Sequence, residues 1–263
     1  MEKFLENKDA KIYVNECIAD GSTKAVVLIH GLCEHSGRYA DFISELNQSN
    51  ISVFAIDLRG HGKTVGKRGD SESFIKVLDD VNIVIDYIKM NYDFKQIGIF
   101  GHSIGGLVAS TYASLYKGMV DYLVLSSPAI YCPKKLRFIK FIPYNLLSFI
   151  YVKKKYSESK EMLEYSKNDE FALHTFSIRT VGVFFSQGIE FLNKNLCIEC
   201  PTMLLCGKLD PLLSETYRFE DLFSKLTNKA NKLIVYEDAK HRIVQNEGSS
   251  ERIKDILSWL ENV

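Results

Sequence analysis

Short apolar segments alternate with amphipathic segments along almost the whole chain of 263 residues, and this alternation restricts the fold more than any other feature. Runs rich in branched side chains, such as KAVVLIHG, ISVFAIDLRG, QIGIFGHS and DYLVLSSP, end in Gly, Ser or Pro. Uninterrupted runs of this kind are typical of parallel strands that are covered on both faces. Between them, segments such as SFIKVLDDVNIVIDYIKMNY repeat apolar residues every three or four positions. The pattern predicts a doubly wound α/β sheet with helices on both faces.

Two regions depart from this alternation. Near the N-terminus, KIYVNECIA alternates with a period of two, and FLENKDA before it has room for a short strand and a turn. This region predicts an antiparallel start to the sheet. The second region, residues 130–196, contains no clear parallel-strand run and has the pattern of helices and loops. We therefore predict a core formed by residues 1–129 and 197–263, with residues 130–196 inserted as a helical cap.

Composition and charge exclude several classes of protein. The formal net charge is zero, 46% of the residues are hydrophobic and 25% are charged, as in ordinary globular domains. No basic helix or basic-aromatic strand set suggests a nucleic-acid partner. No segment has around 18 uninterrupted apolar residues, so we expect no transmembrane helix. The N-terminal residues MEKFLENKDAKIYV lack the apolar core of a signal peptide, and we expect a cytoplasmic protein.

The six cysteines are scattered along the chain and predict free thiols, not a disulfide framework. Cys197 and Cys200 form one CxxC pair. No second pair or histidine pair follows at zinc spacing, so a structural role is favoured over a metal or redox site.

A serine between glycines is the strongest chemical signal. Gly101-His102-Ser103-Ile104-Gly105 follows the apolar run IGIF and is followed at once by a helical pattern. A GxSxG at a strand-to-helix turn is typical of a nucleophile elbow, which exposes the serine hydroxyl above the sheet. The free N–H groups at the start of the next helix would stabilise negative charge at the same point.

A serine hydroxyl needs a base, and the base needs an orienting acid. In this architecture the chain order is serine, acid, histidine. Only His174 and His241 follow Ser103, and His241 comes directly after the last predicted strand, so we predict His241 as the base. Asp210, after the penultimate strand, is the predicted acid, and Asp238 is the rival candidate.

The predicted oxyanion donors are two backbone N–H groups. One belongs to Ile104, directly after the serine, and the other to Leu32, in the loop after the first long parallel strand. Losing one such donor typically costs about 100- to 1000-fold in rate.

Four ordered motifs resemble the α/β-hydrolase superfamily, and in particular its monoacylglycerol lipase and lysophospholipase group, which is also grouped with serine aminopeptidase-type hydrolases. HGLCEHSGRY resembles that group's HGxxEHSGRY, DLRGHGKT its DxRGHGxS, GHSIGG its GHSMGG, and KHRIVQNE its HEIxNE-like ending. The resemblance implies an eight-stranded, mostly parallel sheet with an inserted helical cap. It implies Ser103, Asp210 and His241 as a catalytic triad and requires no metal or organic cofactor. It also implies that Glu34 and His35 orient the loop, and that Arg38 and Tyr39 anchor the following helix.

The predicted cap carries an uneven charge. From Tyr122 to Ser157 there is no acidic residue, whereas seven residues are Lys or Arg, and the apolar run Phe141–Val152 lies between the basic clusters. One interpretation is a cap helix packed over the site with solvated lysines. The other is a peripheral contact with an anionic membrane.

These features predict a serine ester hydrolase that cleaves monoacylglycerol or a similar single-chain lipid ester through an acyl-enzyme. A lysophospholipase or a generic short-chain carboxylesterase is the alternative. A peptidase would need a carboxylate pair for the substrate amine, and none can be assigned. A non-catalytic binding protein is disfavoured by the complete, correctly ordered triad. The head group, the acyl length and the oligomeric state do not follow from the sequence.

Overall fold

The fold centres on one eight-stranded sheet. The computed structural model describes residues 1–7, 9–153, 168–211, 217–245 and 248–263. In chain order the strands are β1 (Glu2–Asn7), β2 (Ala10–Cys17), β3 (Lys24–Ile29), β4 (Ile51–Ile56), β5 (Gln96–His102), β6 (Tyr122–Ser126), β7 (Tyr151–Lys153), β8 (Thr175–Ser177), β9 (Thr202–Gly207) and β10 (Lys232–Tyr236). The large sheet has the order β1-β2-β4-β3-β5-β6-β9-β10, and β7 pairs with β8 in a separate two-stranded sheet.

The pairing directions confirm the predicted architecture. Strands β4, β3, β5, β6, β9 and β10 pair in parallel with one another in this order. Strand β2 pairs antiparallel with both β1 and β4. The sheet is therefore mostly parallel with an antiparallel start, as the period-two pattern near the N-terminus predicted.

Helices cover both faces of this sheet. They are α1 (Ala40–Gln48), α2 (Phe74–Asn91), α3 (Ile104–Leu115), α4 (Ile178–Gly182), α5 (Ile189–Asn195), α6 (Tyr217–Ser224) and α7 (Ser249–Leu260). Alternate residues of β3 belong to two different cores: Val27 and Ile29 pack with α2 and α3, whereas Val26 and Leu28 pack with α1 and α7. Both faces of the strand are thus apolar, which explains its uninterrupted hydrophobic sequence. Among the described residues, no helix is both long and apolar enough to cross a membrane.

The described part of the predicted cap, residues 130–153 and 168–196, contains short helical segments and two short strands. Short 3-10 helices occupy Lys134–Phe141 and Tyr144–Leu146, and β7 follows them. Beyond residue 168, the described elements include α4, a π-helical turn at Val183–Gly188, and α5. Pro143 explains the interruption, because it lacks an N–H and disfavours the helical region for the preceding residue. Ile142 is accordingly extended, with φ −98° and ψ 137°. Three acidic residues of the insert, Glu158, Glu161 and Glu164, lie outside the described residues, and the division into core and cap stays a prediction.

A buried polar anchor joins the end of the insert to the core. Asp70 accepts hydrogen bonds from Ser177 Oγ at 2.6 Å and from Arg179 Nε at 3.0 Å. Thr180 Oγ1 donates to the carbonyl of Gly69 at 2.9 Å. These bonds hold β8 and α4 against the segment that leads into α2.

Candidate active site

Ser103 lies at the sharp turn between β5 and α3. Its backbone has φ 53° and ψ −116°, a conformation that non-glycine residues rarely adopt. The flanking glycines are needed because other backbone passes very close to them. A Cβ on Gly101 would lie 2.4 Å from the carbonyl oxygen of Gly105, and a Cβ on Gly105 would lie 2.2 Å from that of Ile29. The sequence therefore folds locally into the strained turn that the GxSxG motif predicted.

The predicted base and acid meet directly. His241 Nδ1 lies 2.7 Å from Asp210 Oδ2, and both side chains are buried. Asp210 follows β9, and His241 follows β10 in a loop that passes over Gly207. A Cβ on Gly207 would lie 2.3 Å from the carbonyl oxygen of Ala239, so this position admits only glycine.

The rival residues lie elsewhere. Asp238 has an exposed side chain whose Oδ2 accepts a hydrogen bond from Arg252 Nη2 at 3.1 Å. His174 is exposed in the segment before β8. The acid and the base that the sequence favoured are thus the pair that the fold joins.

His102 places the His241 ring next to the serine turn. The centroids of the two imidazole rings are 4.8 Å apart, and His102 directly precedes Ser103. Burial, together with the neighbouring His241, lowers the pKa of His102 to about 3. His102 is therefore neutral at ordinary pH, and it adds no positive charge beside a base that must become protonated.

The loop with the predicted oxyanion donor also reaches Ser103. A Cβ on Gly31 would lie 3.3 Å from Ser103 Cβ, so the loop and the serine are in contact. The N–H of Leu58 donates to His30 Nε2 at 3.0 Å, which leaves the proton on Nδ1, 2.7 Å from the carbonyl oxygen of Gly31. Leu32 is half-buried and Ile104 is buried. The structure thus brings both predicted donors to the edge of the sheet that carries Ser103.

Two buried histidines in the motif loops have structural surroundings. The rings of His30 and His61 lie in contact, with centroids 5.2 Å apart and an angle of 51° between the ring planes. Burial lowers the pKa of His30 to about 4 and that of His61 to about 3. Both are neutral and hydrogen-bond to backbone groups, which fits a structural role.

Asp169 binds two residues of the loop after β3, and the sequence did not predict this contact. Its Oδ2 lies 2.9 Å from His35 Nε2 and accepts a hydrogen bond from Arg38 Nε at 2.8 Å. Desolvation by burial raises the pKa of Asp169, but hydrogen bonds from His35 and Arg38 outweigh it, so the pKa lies below its usual value. Asp169 lies more than 130 positions from both partners, and no local pattern marks it.

The described part of the chain contains no group of three or more His, Cys, Asp or Glu side chains that could hold a metal ion. All six cysteines are free thiols, as predicted.

Comparison with known families agrees with this geometry. The family described as "Serine aminopeptidase, S33" matches residues 21–248, which is most of the chain. The chain belongs to this family of α/β hydrolases. The matched range contains the GHSIGG turn, Asp210 and His241.

Several similar proteins of known name are lipases. Mouse monoglyceride lipase is 27% identical over 255 residues, covering 92% of this chain and 84% of that protein. A monoacylglycerol lipase of Mycolicibacterium smegmatis is 32% identical over 105 residues, covering only 40% of this chain and 38% of that protein. The crystal structure of a monoacylglycerol lipase of Paleococcus ferrophilus superposes with a TM-score of 0.82 at 26% identity, covering 95% of this chain and 98% of that one. These likenesses support a lipase or esterase role.

Proposed function

We propose that this chain is a serine ester hydrolase that cleaves monoacylglycerol or a similar single-chain lipid ester through an acyl-enzyme. The observation that carries the proposal is the buried Asp210–His241 pair, whose imidazole lies against the residue before the strained Ser103 turn. When a buried carboxylate–imidazole pair lies next to a turn that carries a serine, the imidazole can take the proton of the serine hydroxyl and so activate it as a nucleophile.

The roles of the three residues follow from this arrangement. Asp210 accepts a hydrogen bond from the N–H of His241 Nδ1, so Nε2 is the ring atom left to take the proton of the Ser103 hydroxyl. Ser103 Oγ then bonds to the ester carbonyl carbon, and the carbonyl π electrons move to the oxygen. His241 returns its proton to the leaving alcohol as the ester C–O bond breaks. Water attacks the acyl-enzyme by the same route and releases the fatty acid.

The oxyanion of each tetrahedral intermediate would be held by backbone donors. The N–H groups of Leu32 and Ile104 would donate to it, supported by the N-terminus of α3. Because both donors are backbone groups, their positions depend on the loop and the turn that carry them. Substitutions that deform either segment are expected to lower the rate without changing a reacting side chain.

Two of the three described acidic residues of the insert are already paired, which favours a lipid substrate over an amine-bearing peptide. Asp169 is engaged by His35 and Arg38, and Glu190 pairs with Lys194 at 2.6 Å. Carboxylates already paired in this way are poor partners for a substrate amine. The named lipases with which the chain is similar favour a monoacylglycerol. A lysophospholipid or a short-chain ester remains the alternative substrate.

Labelling with a fluorophosphonate probe tests the nucleophile. We expect the wild type to form one adduct, on the peptide that contains Ser103, and Ser103→Ala to form none. Ser110→Ala is a matched control, since Ser110 is a buried α3 serine that donates to the Gly106 carbonyl at 2.8 Å. Labelling that persists in Ser103→Ala, or that is absent from the wild type, would contradict the serine mechanism.

We also propose that the insert contacts an anionic bilayer through a surface that we call the cap face, formed by Phe138, Phe141, Leu146 and Phe149. These large apolar side chains are between 56% and 80% exposed. Single exposed apolar residues are common, but four within twelve positions form an unusual concentration.

Charge complementarity selects an anionic surface as the partner. Four cationic residues of the cap face's own segment are exposed: Lys134, Lys135, Arg137 and Lys140. Each cationic residue near an anionic membrane surface contributes about 1 kcal/mol to binding. The six free thiols suit a reducing compartment, so we infer a cytoplasmic protein that attaches peripherally to a membrane.

Vesicle co-sedimentation tests the cap face. We expect the wild type to bind vesicles of phosphatidylcholine with about one-third phosphatidylglycerol at least tenfold more tightly than pure phosphatidylcholine vesicles. Phe141→Glu should lose most of this binding. Met90→Glu is the matched control, because Met90 is 78% exposed on α2, away from the cap face. Equal binding to both vesicles, or equal losses in the two variants, would count against the contact.

A further inference from the structure

A buried ion pair joins the two loops that carry the oxyanion donor and the base. Arg242 directly follows His241, and its Nε donates to Glu34 Oε1 at 2.7 Å. Both side chains are almost fully buried, with 10% of Arg242 and 2% of Glu34 exposed. The two residues are 208 positions apart, so this contact exists only because the fold brings the loops together.

The second oxygen of Glu34 acts on the oxyanion loop. Glu34 Oε2 accepts hydrogen bonds from the N–H of Gly31 at 3.2 Å and from Tyr39 Oη at 2.8 Å. The backbone N–H of Glu34 donates to the carbonyl of Gly31 at 3.2 Å, the same oxygen that faces His30 Nδ1. Glu34 therefore forms hydrogen bonds with both the N–H and the carbonyl of Gly31.

Holding that carbonyl also aims the predicted oxyanion donor. The carbonyl of Gly31 and the N–H of Leu32 belong to one planar trans peptide and point in opposite directions. A rotation of this peptide would turn the Leu32 N–H away from the reacting carbonyl. Glu34 thus holds the peptides on both sides of Gly31, since its side chain binds the Gly31 N–H and its backbone N–H binds the carbonyl of the peptide that carries the Leu32 donor.

His241 is held from two sides as well. Asp210 holds its imidazole, and Arg242 ties its backbone neighbour to Glu34. We propose that Glu34 and Arg242 are a positioning pair, which keeps the His241 base and the Leu32 oxyanion donor in register around Ser103. The inference rests on the proposed serine mechanism and adds residues that touch no reacting atom.

A second buried ion pair provides a matched control. Arg59 Nε and Nη2 each donate to a different oxygen of Asp80 at 2.7 Å, and 8% of Arg59 and 1% of Asp80 are exposed. Asp80 lies on α2, and its other hydrogen bond comes from Asn7. The control pair therefore matches the proposed pair in burial, and neither Asp80 nor its partners Arg59 and Asn7 lie in the loops that carry the Leu32 donor or His241.

The test compares kinetics per active site in Glu34→Gln, Arg242→Gln, the double variant and Asp80→Asn. Fluorophosphonate titration counts the active sites, a short-chain nitrophenyl ester reports kcat and KM, and a trifluoromethyl ketone reports binding of a tetrahedral adduct. A displacement of about 1 Å can cost about 100-fold in rate. We expect each single variant of the pair to lower kcat by between about 10- and 100-fold, with KM within about threefold. Ketone inhibition should weaken in parallel.

The double variant and the control separate positioning from stability. The double variant should lose no more than the worse single variant, because one coupling is broken in all three. Asp80→Asn should keep kcat per titrated site within about twofold while it lowers Tm. Should Glu34→Gln fail to fold, Arg242→Lys, which keeps the charge but lacks the Nε donor, provides the same comparison.

The positioning role would be overturned if the Glu34 and Arg242 variants kept their kcat per titrated site. It would also be overturned if their kcat fell only as much as that of Asp80→Asn. Multiplicative losses in the double variant would overturn the coupling. A wild type that the fluorophosphonate does not label would instead contradict the serine mechanism itself, so the two failures are distinguishable.

Discussion

At the residue scale, the geometry around Ser103 depends on the absence of side chains at neighbouring positions. Gly105→Ala would place a Cβ 2.2 Å from the carbonyl oxygen of Ile29 and force α3 away from β3. Since α3 begins directly after Ser103, we expect the ester hydrolysis rate per folded molecule to fall by about 100-fold. Nitrophenyl ester kinetics, with circular dichroism to quantify folded protein, measure the effect.

Gly118→Ala is the control for this prediction. Gly118 has φ 72°, but a Cβ there would meet no atom within 4 Å. The substitution should cost about 1–2 kcal/mol of stability through backbone strain and leave the rate unchanged. If Gly105→Ala retained the activity of Gly118→Ala, the close approach of α3 and β3 would not position the serine.

The residues of the candidate triad could be predicted because local sequence marks each of them. Ser103 lies in a GxSxG between a strand and a helix, and Asp210 and His241 each follow a predicted strand at the edge where such loops converge. The contacts of Asp169 and Arg242 could not be predicted. Their partners lie more than 130 positions away, so no local pattern in the sequence reveals either contact.

At the element scale, the attachment of β8 and α4 to the core depends on the buried Asp70. Arg179→Ala would leave the Asp70 carboxylate with one fewer cation, and breaking a buried pair typically costs about 3–5 kcal/mol. We expect a corresponding fall in the free energy of unfolding, with the first protease cleavage within residues 168–196. Urea unfolding and limited proteolysis measure these effects.

Lys194→Ala is the matched control on α5. It breaks the exposed Lys194–Glu190 pair, whose contribution is expected to be about 0.5 kcal/mol or less. Comparable losses in Arg179→Ala and Lys194→Ala would contradict the anchoring role of Asp70.

The strands and helices of the core could be predicted because their apolar periodicity agrees with their burial. The sequence of β3 is continuously apolar because both faces of the strand are covered. The period-two pattern near the N-terminus predicted the antiparallel pairing of β1 and β2. The inserted segment was harder to predict, since Phe141–Val152 is apolar enough for a helix, but Pro143 keeps Ile142 extended and only a short 3-10 helix follows at Tyr144–Leu146. There the backbone restriction overrides the hydrophobic pattern.

At the scale of the whole molecule, three buried neutral histidines predict a loss of stability in acid. Burial lowers the pKa values of His30, His61 and His102 to between about 3 and 4, whereas the unfolded chain would bind protons at its ordinary pKa of 6.5. Below pH 6.5 the unfolded state thus binds more protons, so stability falls as the pH falls. With all three groups titrating, the slope approaches about 4 kcal/mol per pH unit between pH 5.5 and 4.5.

Urea unfolding at pH 7.0, 6.0 and 5.0 would measure this slope. His61→Asn should remove the contribution of one histidine and so reduce the slope by about one third. His174→Gln should leave the slope unchanged, because His174 is exposed. A stability that is independent of pH between 6.5 and 5 would show that these histidines do not stay neutral in the folded state.

Hydrolysis of a substrate panel by the wild type and by Ser103→Ala tests the proposed function most directly. The panel consists of monoacylglycerols of several chain lengths, lysophosphatidylcholine, short nitrophenyl esters and amino-acid amides, with released fatty acid or product measured per folded enzyme. We predict that the wild type releases fatty acid from monoacylglycerol with the highest kcat/KM of the panel and that Ser103→Ala abolishes this release. Release that persists in Ser103→Ala, or a wild type that cleaves only the amides, would contradict the assignment.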